Sequence, residues 1–248
     1  MPTGTNDFNA PLPTDPTSQG QGISQISRQI LMGGGANSQS GRWLWASGFE
    51  SGLNEWELST ASGRISLAED WVYQGVYSCK ISTQAVAGSE ERIEKVLFSQ
   101  GGGRYGFESV FSNTLNTALQ REISWRIEGG NQDPSQRSRG LIVLKINAVN
   151  DGDLYIDVNG SRTLISSVDE YIINASSFFN YIKLVFDPKT NSFIRLYFGE
   201  KIFDLGGAPG YLFSSTDRNI NFRIYAKTLL NQISDTYIDN VIITADEP

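Results

Sequence analysis

Five tryptophans and no histidine set the chemistry open to this 248-residue chain. Trp43, Trp45 and Trp71 are candidates for a sugar-stacking platform, because an exposed indole packs on the apolar face of a pyranose while neighbouring polar groups orient its hydroxyls. Trp43 and Trp45 alternate with Leu44 and so are expected to share one face, packing where the arm meets the first strand. The polar groups come from stretches of alternating character: Arg126 and Glu128 in EISWRIE, Lys145 in LIVLKIN, Lys183 in YIKLVFD, and Arg195 with Tyr197 in FIRLYFG. Together they would line the concave surface of one sheet. Lys and Arg on the solvent side of strands also guard against edge-to-edge pairing, and that alternative stands beside the binding one. Trp125 shares its face with Ile123 and Ile127 and reads as core.

The missing histidine removes the commonest general base and zinc ligand, and with them any Ser-His-Asp arrangement. Glycosidases on sandwich folds need paired carboxylates facing one cleft. The nearest acidic cluster, Glu90, Glu91 and Glu94 in SEERIEKV, has the spacing of a helix or loop. Tyr, Lys and Arg remain as a lyase-type set, and the overall expectation is a non-enzyme. Cys79 alternates with Tyr77 and Ile81 on the apolar side of VYSCKIS, and with no second cysteine or any histidine to activate it, the thiol reads as buried and inert.

These side chains need a scaffold, and composition supplies its class. The chain is 39% hydrophobic and 19% charged, which suits a packed core, and its net charge of −7 argues against nucleic acid as a partner. No apolar run spans a bilayer, and MPTGTNDFNAPLPTD has neither the basic start nor the apolar stretch of a secretory leader, so synthesis and retention in a cytosol are expected.

Residues 1–41 differ from the rest. Four of the eight prolines fall in the first sixteen residues, and Gly, Ser and Gln dominate. Ile23, Ile26, Ile30 and Leu31 share one helical face, and Gly33 to Gly35 end it, so an extended arm with a short docking helix is predicted. Such an arm gains order by lying on a neighbouring subunit or on a second copy of the chain.

From residue 42 to 248 the pattern has period two. Tyr105, Phe107 and Phe111 share a face, as do Ile142, Leu144 and Ile146. DLYIDV, YIKLVFD, FIRLYFG, NFRIYAK and TYIDNVIIT continue the alternation, Asn159-Gly160 and Asp151-Gly152 offer tight turns, and Pro134, Pro188 and Pro209 fall between strands. GGNQDPSQRSRG (129–140) and SQGGGRYG (99–106) read as exposed loops that connect strands or bind. The fold class predicted is an all-β antiparallel sandwich with an N-terminal arm.

GFESGLNEW followed by VYQGVYSCKIS resembles the opening of jelly-roll carbohydrate-binding modules. YIKLVFDPKTNSFIRLYFGEKIFDL with TYIDNVIIT is similar to laminin G-like and concanavalin A-like sandwiches. The resemblance covers residues 47–245 through short motifs, and it implies a jelly-roll fold. It also implies a structural calcium held by Glu50 of the first motif and Asp239 of the last strand, with carbonyls near Gly75 and Lys80 completing the shell. Alternation puts Asp239 on the face of Tyr237 and Val241, where a carboxylate needs a cation or backbone donors, and amide donors are the alternative to the ion.

The function expected is that of a virion accessory protein, of capsid or tail decoration type. Its arm would be the anchor and its lectin-like sandwich would be displayed. The alternative is a carbohydrate-binding module or lectin at an extracellular surface.

Overall fold

The period-two pattern resolves into strands in the computed structural model, which describes residues 41–59, 64–98, 103–113, 120–148, 151–168, 179–199 and 201–248. The docking helix expected at Ile23, Ile26, Ile30 and Leu31 lies outside these residues. The first half contains β1 (Arg42–Ser47), β2 (Glu57–Leu58), β3 (Ile65–Ala68), β4 (Ser78–Ser82), β5 (Glu90–Leu97), β6 (Tyr105–Asn113), β7 (Arg121–Gly130) and β8 (Gln136–Ala148). The second contains β9 (Asp151–Val158), β10 (Ser161–Ser167), β11 (Asn180–Asp187), β12 (Ser192–Phe198), β13 (Lys201–Asp204), β14 (Tyr211–Ser214), β15 (Ile220–Thr228) and β16 (Asp235–Ala245).

All pairings are antiparallel and form two sheets of eight strands. Sheet I runs β13-β12-β11-β6-β16-β4-β3, with β1 also on β16; sheet II runs β10-β9-β8-β7-β15-β5-β2, with β14 also on β8. Neighbours distant in sequence, such as β6 and β16, make this a sandwich with crossovers between the sheets. Among the described residues no helix is long and apolar enough to cross a membrane.

The core lies between the sheets. Phe107 and Phe111 of β6 and Ile182, Leu184 and Phe186 of β11 meet Ile123, Trp125 and Ile127 of β7 and Phe222 and Ile224 of β15. Each is fully buried. Phe111 packs on Trp125 with centroids 4.9 Å apart, and Phe107 packs edge-on to Phe222 at 5.4 Å. The indole N–H of Trp125 donates to Ser109 Oγ at 2.9 Å, so the largest core side chain leaves no polar atom unpaired. The sheets approach closely at Gly140, where a Cβ would come within 2.5 Å of the Phe186 ring. Cys79 is buried, and burial and then Asp239 push its thiol pKa up.

Four expectations change. SEERIEKV is strand β5, held between β15 and β2: the pairing on both sides overrides the local spacing of its acids. GGNQDPSQRSRG is mostly strand, with Gly129 and Gly130 ending β7 and Gln136 starting β8. Asp151-Gly152 begins β9 and is not a turn, whereas Asn159-Gly160 does turn, both residues having positive φ (51° and 84°). Trp43 and Trp45 do not share a face, because the β1–β16 register shifts between them: Trp43 pairs with Thr244 and Trp45 with Ile243.

That shift sends Trp45 inward. It meets Trp56 edge-on at 4.9 Å, Trp56 stacks on Phe49 at 5.6 Å, and Lys95 Nζ lies 4.4 Å from the Trp45 ring. Trp45 Nε1 also donates to Glu55 at 2.9 Å. The tryptophan-rich opening therefore closes one end of the core.

Candidate ligand-binding face

The two outer faces of the sandwich differ. That of sheet I is closed. In β16 a bulge at Asn240 (φ 44°) breaks the alternation, so Ile238, Val241 and Ile243 all reach the core while Asp239 faces outward with Tyr237. Asp239 thus shares the face of Tyr237 but not that of Val241, since the extra residue reverses the side chains that follow. Its Oδ2 accepts the backbone N–H groups of Tyr73 (2.9 Å) and Gln74 (3.1 Å), and Oδ1 accepts that of Asn240 (2.7 Å). Glu50 Oε1 accepts the N–H groups of Val76 (2.6 Å) and Tyr77 (2.9 Å). Two carboxylates far apart in sequence hold one loop, residues 71–77, by its amides.

That loop lies over sheet I. Trp71 stacks on Tyr237 at 5.3 Å, and Tyr73 and Phe179 pack on a second apolar cluster of Val110, Tyr181, Val185 and Tyr197. Beside the cluster, Lys183 is 3% exposed and lies 2.8 Å from Glu247 and 3.6 Å from Glu108, which also accepts from Tyr181 Oη at 3.1 Å. Burial alone would lower the Lys183 pKa; Glu108 and Glu247 outweigh it and hold it raised. Burial pushes Glu108 up, with Lys183 opposing. Tyr181 is raised well above its ordinary value by burial and then by Glu108.

The residues expected to form one concave surface are therefore split between two. Lys183, Arg195 and Tyr197 belong to the outer face of sheet I. There Lys183 and Tyr197 are buried, and Arg195 donates to the backbone oxygen of Pro248. Arg126 and Lys145 belong to the outer face of sheet II. The split arises because β11 and β12 pair with β6 and each other, whereas β7 and β8 pair with β15 and β9. Trp43 is half-buried on β1 opposite Thr244, Trp45 is committed to the core, and Trp71 is committed to Tyr237.

The outer face of sheet II is more open, and register arranges it in rows. One row reads Glu90, Lys227, Glu122, Lys145, Asp153 across β5, β15, β7, β8 and β9, with signs alternating throughout. Arg162 of β10 adds a two-pronged pair to Glu122, with Nη2–Oε2 at 2.9 Å. The next row holds Arg92, Tyr225, Ser124, Val143, Tyr155 and Leu164. In the third row Glu94, Arg223, Arg126 and Leu141 are neighbours, which sets Arg223 directly opposite Arg126. In the fourth, Asn221, Glu128, Arg139 and Tyr211 follow one another across β15, β7, β8 and β14.

The third and fourth rows share two carboxylates. Arg223 reaches Glu94 at 2.7 Å and Glu128 at 3.0 Å; Arg139 Nε donates to Glu128 at 2.9 Å, and Arg126 lies 3.5 Å from it. Burial, and then Arg139 and Arg223, depress the Arg126 pKa against the opposing pull of Tyr225 and Glu128. The guanidinium of Arg126 sits 4.4 Å from the Tyr225 ring. Tyr225 Oη is buried and makes no hydrogen bond among the described residues.

At the edge, Tyr211 and Phe213 of β14 stack at 6.3 Å, with Arg139 5.1 and 5.3 Å from their centroids. Tyr211 is 36% exposed, in contrast to Tyr181 at 5% and Tyr197 at 8% on sheet I. Sequence reasoning missed Tyr211, Phe213, Arg139 and Arg223. The signal available was the alternation of Tyr211 and Phe213 around Leu212, just after Pro209-Gly210.

A calcium shell at Glu50 and Asp239 does not fit the donors present, because the loop turns amide N–H groups, not carbonyls, toward both carboxylates. Among the described residues no group of three or more His, Cys, Asp and Glu side chains is arranged to hold a metal ion.

No known protein family and no curated protein matches this sequence. Solved structures do resemble the fold. A carbohydrate esterase of the Shiga toxin-encoding bacteriophage phi24B aligns over 83% of this chain and 99% of its own at 11% identity, with a TM-score of 0.52. The CBM2 module of an evolved Dit from Lactobacillus casei BL23 phage J-1 aligns over 84% of this chain and 97% of its own at 9% identity, with a TM-score of 0.49. The carbohydrate recognition domain of Emp47p aligns over 85% of this chain and 99% of its own at 8% identity, also with a TM-score of 0.49. At such identities the likeness is one of fold: the chain is a jelly-roll β-sandwich.

Two outcomes follow from the closed face. Lys183→Met strands Glu108 and Glu247 in a buried site and costs about 3–5 kcal/mol. Urea denaturation checks this, and the loss should shrink in acid as the stranded carboxylates protonate. The second concerns calcium: a ligand bound only to the native state raises the melting temperature. With amide donors on Glu50 Oε1 and on both oxygens of Asp239, melting curves in millimolar calcium and in chelator should superpose.

Proposed function

We propose that the sandwich is a non-catalytic glycan-binding module whose ligand lies on the outer face of sheet II. The observation that carries this reading is the half-open cluster of Tyr211 and Phe213 with Arg139, Arg126 and Glu128, set against a sheet I face closed by its own loop. Exposed aromatic rings beside oriented hydrogen-bond donors and acceptors are what a sugar needs. The carbohydrate part of this reading has support in the fold, which is shared with a bacteriophage carbohydrate esterase. The carboxylates beside the cluster, Glu94 and Glu128, are both tied to Arg223, an arrangement unsuited to the acid–nucleophile pair of glycoside cleavage.

The module would be the displayed part of a virion accessory protein, of capsid or tail decoration type, anchored through residues 1–41 to neighbouring subunits or a second copy. The arm's composition supports this, because it cannot bury enough apolar surface by itself. The described sandwich begins beside β1, whose Arg42 pairs with Ala245 at the end of β16.

Two measurements test these readings. On a glycan array, Tyr211→Ala or Phe213→Ala should weaken binding about tenfold or more, the loss of one aromatic contact of about 1–3 kcal/mol, with the melting temperature little changed. A blank array at high protein concentration would sink the binding reading. Deletion of residues 1–40 should leave a folded sandwich that is no longer incorporated into particles; incorporation at the full level would remove the anchor.

A further inference from the structure

We infer that the ligand of this face is an acidic glycan, one carrying carboxylate or sulfate groups, seated where Arg126, Arg139 and Arg223 converge. This rests on the glycan-binding reading above and narrows its ligand class.

The first support is charge. At the other end of the sheet the row from Glu90 to Asp153 alternates in sign and needs nothing from outside. Here Arg223 stands directly opposite Arg126 across β15 and β7, a like-charge pairing that Glu128 bridges and Glu94 relieves on the Arg223 side, so three guanidiniums gather on one patch. Around it, among the described residues, Arg92, Arg126, Arg137, Arg139 and Arg223 face Glu57, Glu94, Glu128 and Asp217, five cations to four anions. The surplus is positive on a chain whose net charge is −7, so it is a local reversal of sign.

The second support is unfilled hydrogen bonding. Each guanidinium carries five N–H donors in a planar fork suited to a carboxylate or sulfate. Arg139 spends its Nε on Glu128, and its terminal nitrogens have no partner among the described residues. Arg126 gives one terminal nitrogen to Glu128 at 3.5 Å, and its Nε is buried without a bond. The donors a ligand can reach are the terminal nitrogens of Arg139 and the partly exposed guanidinium of Arg126.

The third is access. The side chains of Arg139, Arg126 and Arg223 are 25%, 19% and 18% exposed, enough for a ligand to reach them while desolvation strengthens the contact. Tyr211 and Phe213 border them and supply the ring contacts. An anionic sugar laid against β14 would place its acid group toward β8 and β7.

The probes are polygalacturonate and its carboxyl-reduced form, which share a backbone and differ in charge, together with heparin, dextran and a DNA oligonucleotide. Binding is read by calorimetry at two salt concentrations. The expected result is at least about tenfold preference for an acidic polysaccharide over its neutral form, from one charged hydrogen-bonded pair. Added salt should weaken that binding, and Arg126→Gln and Arg139→Gln should abolish it. Arg195→Gln, on the opposite face, should leave it intact.

Equal binding of neutral and acidic chains overturns the acidic inference and leaves the glycan reading standing. No polysaccharide binding at all defeats both. Acidic binding that survives Arg126→Gln and Arg139→Gln, or falls equally with Arg195→Gln, overturns the site. Binding of DNA in place of polysaccharide overturns the ligand class. Circular dichroism of each variant separates lost binding from lost fold.

Discussion

One extra residue in β16 governs much of this molecule. β16 lies inside sheet I, with β6 along one edge and β4 and β1 sharing the other. A regular strand there would carry its alternation through to Ala245 and turn Val241 and Ile243 away from the core that Ile238 enters. The bulge at Asn240 corrects this and leaves Asp239 outward under the loop 71–77. A buried carboxylate without donors would cost several kcal/mol. Three backbone amides satisfy it, and two more amides of the same loop bind Glu50. The strand therefore fixes the loop, and the loop fixes which face of the sandwich is covered.

That covering makes the two faces chemically unlike. On sheet I, charge is buried and matched: Lys183 sits between Glu108 and Glu247, Tyr181 donates to Glu108, and aromatic rings fill the space around them. Such an arrangement locks a segment in place and has little to offer a ligand. On sheet II the same residue types lie in ladders that no loop among the described residues is shown to close. In one ladder the signs alternate along the row; in the other, like charges stand opposite each other and are matched by carboxylates of neighbouring positions. Residue types alone do not separate the faces; their pairing does.

The sequence carries the strands well and their assignment poorly. Alternation located Trp125, Phe107, the β8 trio of Ile142, Leu144 and Ile146, and the thiol of Cys79, all on the core side, because a period of two is a local property of the chain. Which strands share a sheet is not local. Lys183 and Arg126 have the same polar position in similar strands, yet β11 pairs with β6 and β7 with β15, so they end on opposite sides of the protein. Bulges hide equally well: a single shift in β1 separates Trp43 from Trp45, and one in β16 separates Asp239 from Val241. Tyr211 and Phe213 escaped notice because β14 is only four residues long and takes its meaning from Arg139, a residue far earlier in the chain.

The unpaired donors on sheet II also bear on why such a face persists. Folding gains little from a buried Tyr225 hydroxyl without an acceptor or from Arg126 drawn partly out of water. Apolar residues at those positions would pack on Val143 and Leu141 and avoid the desolvation that depresses the Arg126 pKa. Local departures from what stability favours collect at functional sites, where the cost is offset when a ligand supplies the missing partners. The closed face of sheet I shows that this chain can satisfy buried charge where burial is all that is asked of it. The contrast within one protein, with the same residue types under the same solvent, is the strongest physical reason to look for the ligand on sheet II.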